Sequence, residues 1–333
     1  MDAAAVLALA RRERAGGLLS PGTDGPVRVA AAVAAALALP HALDPPAAAR
    51  ATDKLAQRRA FDAAGVPHPA WSDAGTGLPP GARIVVKPAA APGQRGLEIV
   101  ASGGDLGSAL AAARAASRDG LALCEEFLEG PELTVNAFFA GGRFVPLTVT
   151  DRERALAFGV ATAHLYPSQH PVAGVIGVAR AACAALGITS GPTYTQVLLS
   201  PRGPCVMEVA ARLGGGHDGE LCAAARGVDL SAAAVLAALG RGPGSLQPER
   251  DRAAVVRFLI APPGRLVRVE GLDEARALRG VELAYSYRAP GARITPLSRG
   301  PDRAGFVLAS GSSRVQAEAA ARAAEAAIRF VVE

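Results

Sequence analysis

The sequence predicts an α+β chain in which two α+β lobes follow a shortened α/β amino-terminal domain. Three observations carry that expectation: the β-loop-β-α-β order from Arg83 to Glu125, the hairpin pattern at Glu132 to Thr150, and a second strand pair at Tyr194 to Val209 after an Ala-rich helix. The expected divisions are residues 1–70 for the amino-terminal domain, 71–127 for the small lobe, 128–240 for the large lobe with a metal site, and 241–333 for its carboxyl-terminal part. Residues 1–70 read as a helix over Asp2 to Arg14, a short strand at Gly17 to Ser20, a turn at Pro21 to Asp24 and an alanine helix. No opening strand precedes the first helix, so this domain is read as clipped. The turn-rich stretch Ser72 to Pro80 marks the first boundary, and the Gly/Pro-rich residues 241–251 mark a linker. In the small lobe the expected strands are Arg83 to Lys87, Leu97 to Ala101 and Leu121 to Glu125, with a helix at Asp105 to Ser117. The later elements are a helix at Val172 to Leu186, a strand at Ala253 to Ile260 and a closing amphipathic helix at Gln316 to Phe330.

Composition narrows the function classes. At 333 residues, with 50% hydrophobic and 20% charged, the chain is long enough for two or three packed domains and is neither disordered nor fibrous. The net charge of +5 comes from scattered arginines without a basic run interleaved with aromatics, which argues against nucleic acid as a partner. Cys124, Cys183, Cys205 and Cys222 form no CxxC pair, so they read as isolated thiols of a reducing cytoplasm and not as a zinc site. The apolar run Val29 to Leu43 is too short to span a bilayer and is interrupted by Pro40, and the charged amino terminus does not read as a signal peptide.

Three segments carry chemistry. Val85-Val86-Lys87-Pro88 is a buried strand ending in a lysine and followed by the loop Pro92 to Gly96. A lysine at a strand end beside a glycine loop can neutralise phosphate oxygens while backbone N–H groups cradle them, although alone the segment reads equally as an edge lysine and a hairpin turn. In Cys124-Glu125-Glu126-Phe127-Leu128-Glu129-Gly130-Pro131-Glu132 a strand runs into acidic residues and a glycine turn. Its carboxylates and backbone suit an adenine amino group and ribose hydroxyls, or are solvated loop charges. The most specific segment is Met207-Glu208-Val209-Ala210-Ala211-Arg212-Leu213-Gly214-Gly215-Gly216-His217. It places a metal-binding carboxylate, an anion-binding guanidinium and a close backbone approach in one turn. Gln196 lies twelve positions before Glu208, where a neighbouring strand would present it to the same cation.

These segments in this order resemble the ATP-grasp superfamily, most closely its carboxylate-amine ligases of the L-amino-acid (dipeptide-forming) type, and more distantly biotin carboxylase and D-alanine:D-alanine ligase. Thr52-Asp53-Lys54 … Gly65-Val66-Pro67-His68-Pro69 and Gly227-Val228-Asp229-Leu230 are similar to further stretches of that superfamily. The resemblance implies two lobes clamping MgATP, with Lys54 and Lys87 on the phosphates and the loop at Gly93 to Gly96 closing over them. It implies Glu125, with the backbone around Glu126 and Leu128, on the adenine, and Glu132 on the ribose. Glu208 and Gln196 would hold Mg2+, Arg212 a substrate carboxylate or acyl-phosphate, and Gly215 and His217 would border the substrate. The implied reaction joins a carboxylate to an amine through an acyl-phosphate, releasing ADP and phosphate, with Arg212 and Lys87 as the catalytic pair and a homodimer compatible with the family. A carboxylase or purine-pathway enzyme is a variant within the class.

Two departures from the pattern stand out. The first magnesium carboxylate falls at Gln196, which brings an oxygen without a charge, and the frequent Asn two after Glu208 is Ala210. Weak metal binding is therefore expected, and an ATP-binding subunit impaired in turnover is the alternative. His164 edges the acceptor pocket by resemblance, while His41, His68 and His170 read as structural or exposed.

Overall fold

The computed structural model describes residues 1–40, 43–90, 96–101, 104–155 and 159–333. In chain order the helices are α1 (Ala3–Arg12), α2 (Gly25–Ala36), α3 (Pro45–Ala51), α4 (Lys54–Ala64), α5 (Leu106–Ala116), α6 (Ala173–Ala185), α7 (Asp218–Arg226), α8 (Leu230–Ala238), α9 (Leu272–Ala277) and α10 (Arg314–Ala327). The strands begin with β1 (Trp71–Ser72), β2 (Ile84–Pro88), β3 (Glu98–Val100), β4 (Ala122–Glu126), β5 (Glu132–Ala140), β6 (Arg143–Ala155), β7 (Val160–Tyr166), β8 (Gly191–Ser200) and β9 (Gly203–Ala210). They continue with β10 (Ala253–Leu259), β11 (Gly264–Glu270), β12 (Val281–Ser286), β13 (Arg293–Ile294), β14 (Gly305–Gly311) and β15 (Arg329–Val332).

The chain divides into two compact units, the first made of Met1–Pro146, Pro171–Gly215 and Leu230–Ser245, and the second of Leu147–His170, Gly216–Asp229 and Leu246–Glu333. The first unit holds the small sheet β1-β4-β2-β3 and the strand order β6-β5-β8-β9. Val86, Val100, Leu110 and Cys124 form the apolar cluster of the small sheet under α5. Val27, Phe61, Leu186, Ile188, Val206 and Val209 form a second cluster that joins α2, α4 and α6 to β9. Burying such side chains is the main favourable term in holding these layers together. The second unit holds the order β12-β14-β10-β7-β6, with α7 and α10 packed on it, and the three strands β13-β11-β15. Among the described residues no single helix is long and apolar enough to cross a membrane.

The helix boundaries follow capping chemistry. Asp2, Asp44, Asp53, Asp105 and Ser313 each accept a hydrogen bond from a backbone N–H in the first turn of the helix they precede. Asp53 and Gly65, the latter left-handed at φ 64°, bracket α4, so two residues of the Thr52-Asp53-Lys54 … Gly65 pattern are the start and stop of one helix.

Most expected elements of the middle of the chain lie within two or three residues of the observed ones. The exceptions have physical reasons. Gly17 to Ser20 is irregular, because Gly17 runs against the end of α8, where an added Cβ would sit 2.3 Å from the Ala238 carbonyl, and a helix offers no strand edge to pair with. The long alanine helix stops at Ala36, ahead of Ala38 in a left-handed conformation, and the chain forms α3 and α4 instead. The closing helix ends at Ala327, and Arg329–Val332 leaves it to pair antiparallel with β11, Val269 opposite Phe330.

Gly130, at φ 150°, lies so close to the Leu199 carbonyl that a Cβ would meet its oxygen at 1.9 Å. Gly130→Ala is expected to lower the unfolding free energy by about 2 kcal/mol or more, a loss readable by urea titration.

Candidate active site

The site in the first unit grows from α4. One face of this helix carries Lys54, Arg58 and Phe61 at helical spacing. Phe61 enters the apolar cluster, and Gln57 ties the helix to β9: its amide nitrogen donates to the carbonyls of Ala51 (2.9 Å) and Val209 (2.8 Å), and its oxygen accepts from the Val209 N–H (3.1 Å). Arg58, only 1% exposed, donates from Nε to Glu125 Oε1 at 2.6 Å and from Nη2 to the Met207 carbonyl at 2.6 Å.

Glu125 stands in β4 opposite Val85 of β2, and Lys87 is two residues beyond Val85 on the same face. Side chains alternate along a strand, so Lys87 is the diagonal neighbour of Glu125, and its Nζ reaches Glu125 Oε2 at 2.6 Å. Both oxygens of a carboxylate that is 1% exposed are thereby held by two cations. Burial would raise the Glu125 carboxyl, but Arg58 and Lys87 overcome it and hold its pKa at about 2. Burial pulls the Lys87 ammonium below its ordinary value, with Arg58 and Lys54 adding to the effect and Glu125 opposing it.

The long strands supply the second half. Gln196 of β8 and Glu208 of β9 are direct partners in the antiparallel ladder. The Gln196 amide nitrogen donates to the Tyr194 hydroxyl at 3.0 Å, which leaves the amide oxygen as the atom to offer a cation. Glu208 Oε1 lies 3.5 Å from Lys54 Nζ. Burial would raise the Glu208 carboxyl, and Lys54, Lys87, Arg212 and Arg58 together hold it below the ordinary value, so it is ionised at neutral pH. Arg212, four residues past Glu208, makes a two-pronged pair with Asp24, Nε to Oδ1 at 2.7 Å and Nη2 to Oδ2 at 3.2 Å, and donates from Nη1 to the Leu213 carbonyl at 2.8 Å.

The structure therefore brings Lys54, Lys87, Glu125, Gln196, Glu208 and Arg212 into one unit. The Glu125 carboxylate is committed to Arg58 and Lys87, because a buried charge between two cations is stabilised only while both oxygens stay engaged. It anchors Lys87, and each of its oxygens is engaged by one cation. Arg212 is paired with Asp24. Glu126 is buried too, with Oε1 accepting from the Ala70 N–H at 2.8 Å and from Arg202. Glu132 is buried at the start of β5, opposite Leu198. Gly96 is left-handed at φ 67°, and Gly93 lies outside the described residues. Gly215 packs near the turn before α2, where an added Cβ would sit 3.3 Å from the Gly22 carbonyl.

In the second unit, His217 is left-handed at φ 60°, stacks on Phe306 at 3.6 Å between ring centroids, and hydrogen-bonds Glu220 (3.0 Å) and the Tyr287 hydroxyl (2.5 Å). His164 is buried in β7 against Phe258. His68 packs on Phe61 and bonds the Val66 carbonyl at 2.7 Å, a structural role, and His41 lies outside the described residues. Sequence reading missed Gln57, Arg58, Tyr194 and Asp24. A polar pair at one helical turn from Lys54 and Phe61 was the available signal for the first two.

Residues 51–216 match the ATP-grasp domain, and residues 257–333 match the L-amino acid ligase C-terminal domain 2. The chain thus belongs to the ATP-grasp proteins. Its carboxyl-terminal segment is similar to a domain of the L-amino acid ligases. The L-amino acid ligase of Bacillus licheniformis shares the fold, with a TM-score of 0.84 over 100% of this chain and 85% of that one at 21% identity. Uncharacterized protein y4rH of Sinorhizobium fredii (strain NBRC 101917 / NGR234) is 30% identical over 298 residues, 83% of this chain and 60% of that protein. Carnosine synthase 1 of Gallus gallus is 34% identical over 153 residues, 44% of this chain and 16% of that protein.

Glu125→Gln is expected to lower stability at pH 7 by about 3–5 kcal/mol, because it strands two buried cations. In the native protein the contribution of Glu125 is present above the ordinary carboxylate value and is lost as pH falls towards about 2. Thermal melts from pH 6 to 2.5 should fall more steeply for the native protein than for Glu125→Gln.

Proposed function

We propose that the chain is an ATP-dependent ligase that joins a carboxylate, an amino acid by preference, to an amine, releasing ADP and phosphate. The observation that carries this reading is the convergence of Lys54, Lys87 and the ionised Glu208 at the joined ends of α4, β2 and β9. Lys54 and Lys87 would bind triphosphate oxygens as point charges. The backbone at Glu126 and Leu128 would hold the adenine, Glu132 the ribose, and the loop through Gly93 and Gly96 would cover the phosphates. Among the described residues no group of three or more His, Cys, Asp or Glu side chains forms a metal cluster. Mg2+ needs none, since one or two protein oxygens and the phosphates satisfy it. The Glu208 carboxylate and the Gln196 amide oxygen fit that donor set and would hold it. Bound there, Mg2+ would offset charge developing on the transferring phosphoryl group.

The reaction balances without a covalent enzyme intermediate. A substrate carboxylate oxygen attacks the γ-phosphorus, the bond to ADP breaks, and an acyl-phosphate forms. The amine nitrogen then attacks the carbonyl carbon, the bond to phosphate breaks, and the ammonium protons go to solvent or phosphate. Lys87 compensates the negative charge of the first step, and Arg212 steadies the carboxylate and the acyl-phosphate. The carnosine synthase and L-amino acid ligase likenesses support an amino-acid substrate. The neutral Gln196 favours a second reading, an ATP-binding subunit impaired in turnover.

ADP release by the purified protein with MgATP and amino acids, singly and in pairs, tests the reading. Release that depends on a pair and falls roughly 100-fold or more in Lys87→Ala supports the ligase, whereas nucleotide binding without release under any pair supports the impaired subunit. Gln196→Glu should lower the Mg2+ concentration needed for half-maximal nucleotide binding several-fold, and unchanged dependence would remove Gln196 from the metal site.

A further inference from the structure

Asp24 stands at the N-cap position of α2, where an aspartate ordinarily turns its carboxylate onto the first-turn N–H groups and stabilises the helix by about 1 kcal/mol. It makes no such bond. Its carboxylate is turned instead to Arg212, with which it forms the two-pronged pair at 2.7 and 3.2 Å. The pair is not sealed off: the side chains of Arg212 and Asp24 are 14% and 34% exposed. Beside it is a cavity of about 30 Å³ lined by Arg212 and the apolar Leu18, Val27, Leu43, Pro192 and Ala211. That space holds roughly two water-sized positions, enough for a small branched alkyl group and too little for an aromatic ring. Gly215 leaves the Gly22 carbonyl only 3.3 Å from where a Cβ would stand, so the turn carrying Asp24 lies against the glycine loop that follows Arg212.

We propose that Asp24 and Arg212 form the seat of an α-amino acid with a small apolar side chain, Asp24 taking its α-ammonium and Arg212 its carboxylate, with the side chain in the adjoining cavity. This deepens the ligase reading and rests on it. A zwitterion entering between the two side chains replaces one ion pair with two and brings no net charge into a half-buried site. A carboxylic acid without the amino group would take Arg212 and leave Asp24 unpaired beside a second carboxylate. Asp24 is therefore the residue that makes the site select amino acids from simple carboxylates.

The test is calorimetric titration of the full chain with L-valine and with 3-methylbutanoate, each in the presence of MgADP, for the native protein, Asp24→Asn and Asp24→Ser. Asparagine and serine are good N-cap residues, so at least one variant keeps α2. The expected result is valine binding at least ten-fold more tightly than 3-methylbutanoate in the native protein, with the preference reduced to two-fold or less in the variants while 3-methylbutanoate affinity holds or rises. Equal binding of the two in the native protein, no valine binding, or a preference that survives in both variants overturns the proposal. ADP release with amino-acid pairs separates the two readings. Its absence defeats the ligase without touching valine selectivity, and its presence together with unselective binding defeats the role of Asp24 alone.

Discussion

Between Arg58 and Lys87, at 1% exposure, the Glu125 carboxylate is the centre on which the first unit is assembled. Three charges removed from water carry a desolvation cost that only tight geometry recovers, so each member constrains the others. Arg58 belongs to α4, Lys87 to β2 and Glu125 to β4, and Arg58 also reaches the Met207 carbonyl of β9. One network thus fixes a helix and three strands, and Gln57 repeats the tie between α4 and β9 a residue earlier.

The consequence is a prearranged charge distribution. Lys54, Arg58, Lys87 and Arg212 face Glu125, Glu208 and Asp24, which leaves an excess of one positive charge where a polyphosphate would bind. Such preorganisation lets charge that develops during phosphoryl transfer meet fixed partners without reorganisation. Glu208 is kept ionised by the same cations, so the carboxylate proposed to hold Mg2+ is in its binding form at neutral pH.

Much of this was legible in the sequence because it is written in local patterns. Strand-end Lys87, the Glu208 and Arg212 spacing, and the twelve-position separation of Gln196 and Glu208 follow from strand length and hairpin pairing, and the ladder does set the latter pair opposite each other. The segment from Ala122 to Glu126 read correctly as a strand, yet the two cations on Glu125 were not legible, because a carboxylate that will meet cations from distant segments looks the same in sequence as one facing a ligand. Arg58 was invisible for the same reason: an arginine in a helix is usually solvated, and only the packed structure shows it buried. Asp24 lies in a region without a motif, and its partner is 188 residues away. The short carboxyl-terminal strands escaped because β15 is only four residues long and directly follows a strongly patterned helix.

The central proposal is that Glu125 serves nucleotide binding by holding Lys87 and not by contact with the base. MgATP and the Mg2+ complex of purine riboside triphosphate, which lacks the adenine amino group, should be titrated calorimetrically into the native protein and Glu125→Gln. The account predicts that the two nucleotides lose affinity by the same factor in the variant, since the defect lies at the phosphates. A loss confined to ATP, erasing the native preference between the two, would place Glu125 on the adenine and contradict it.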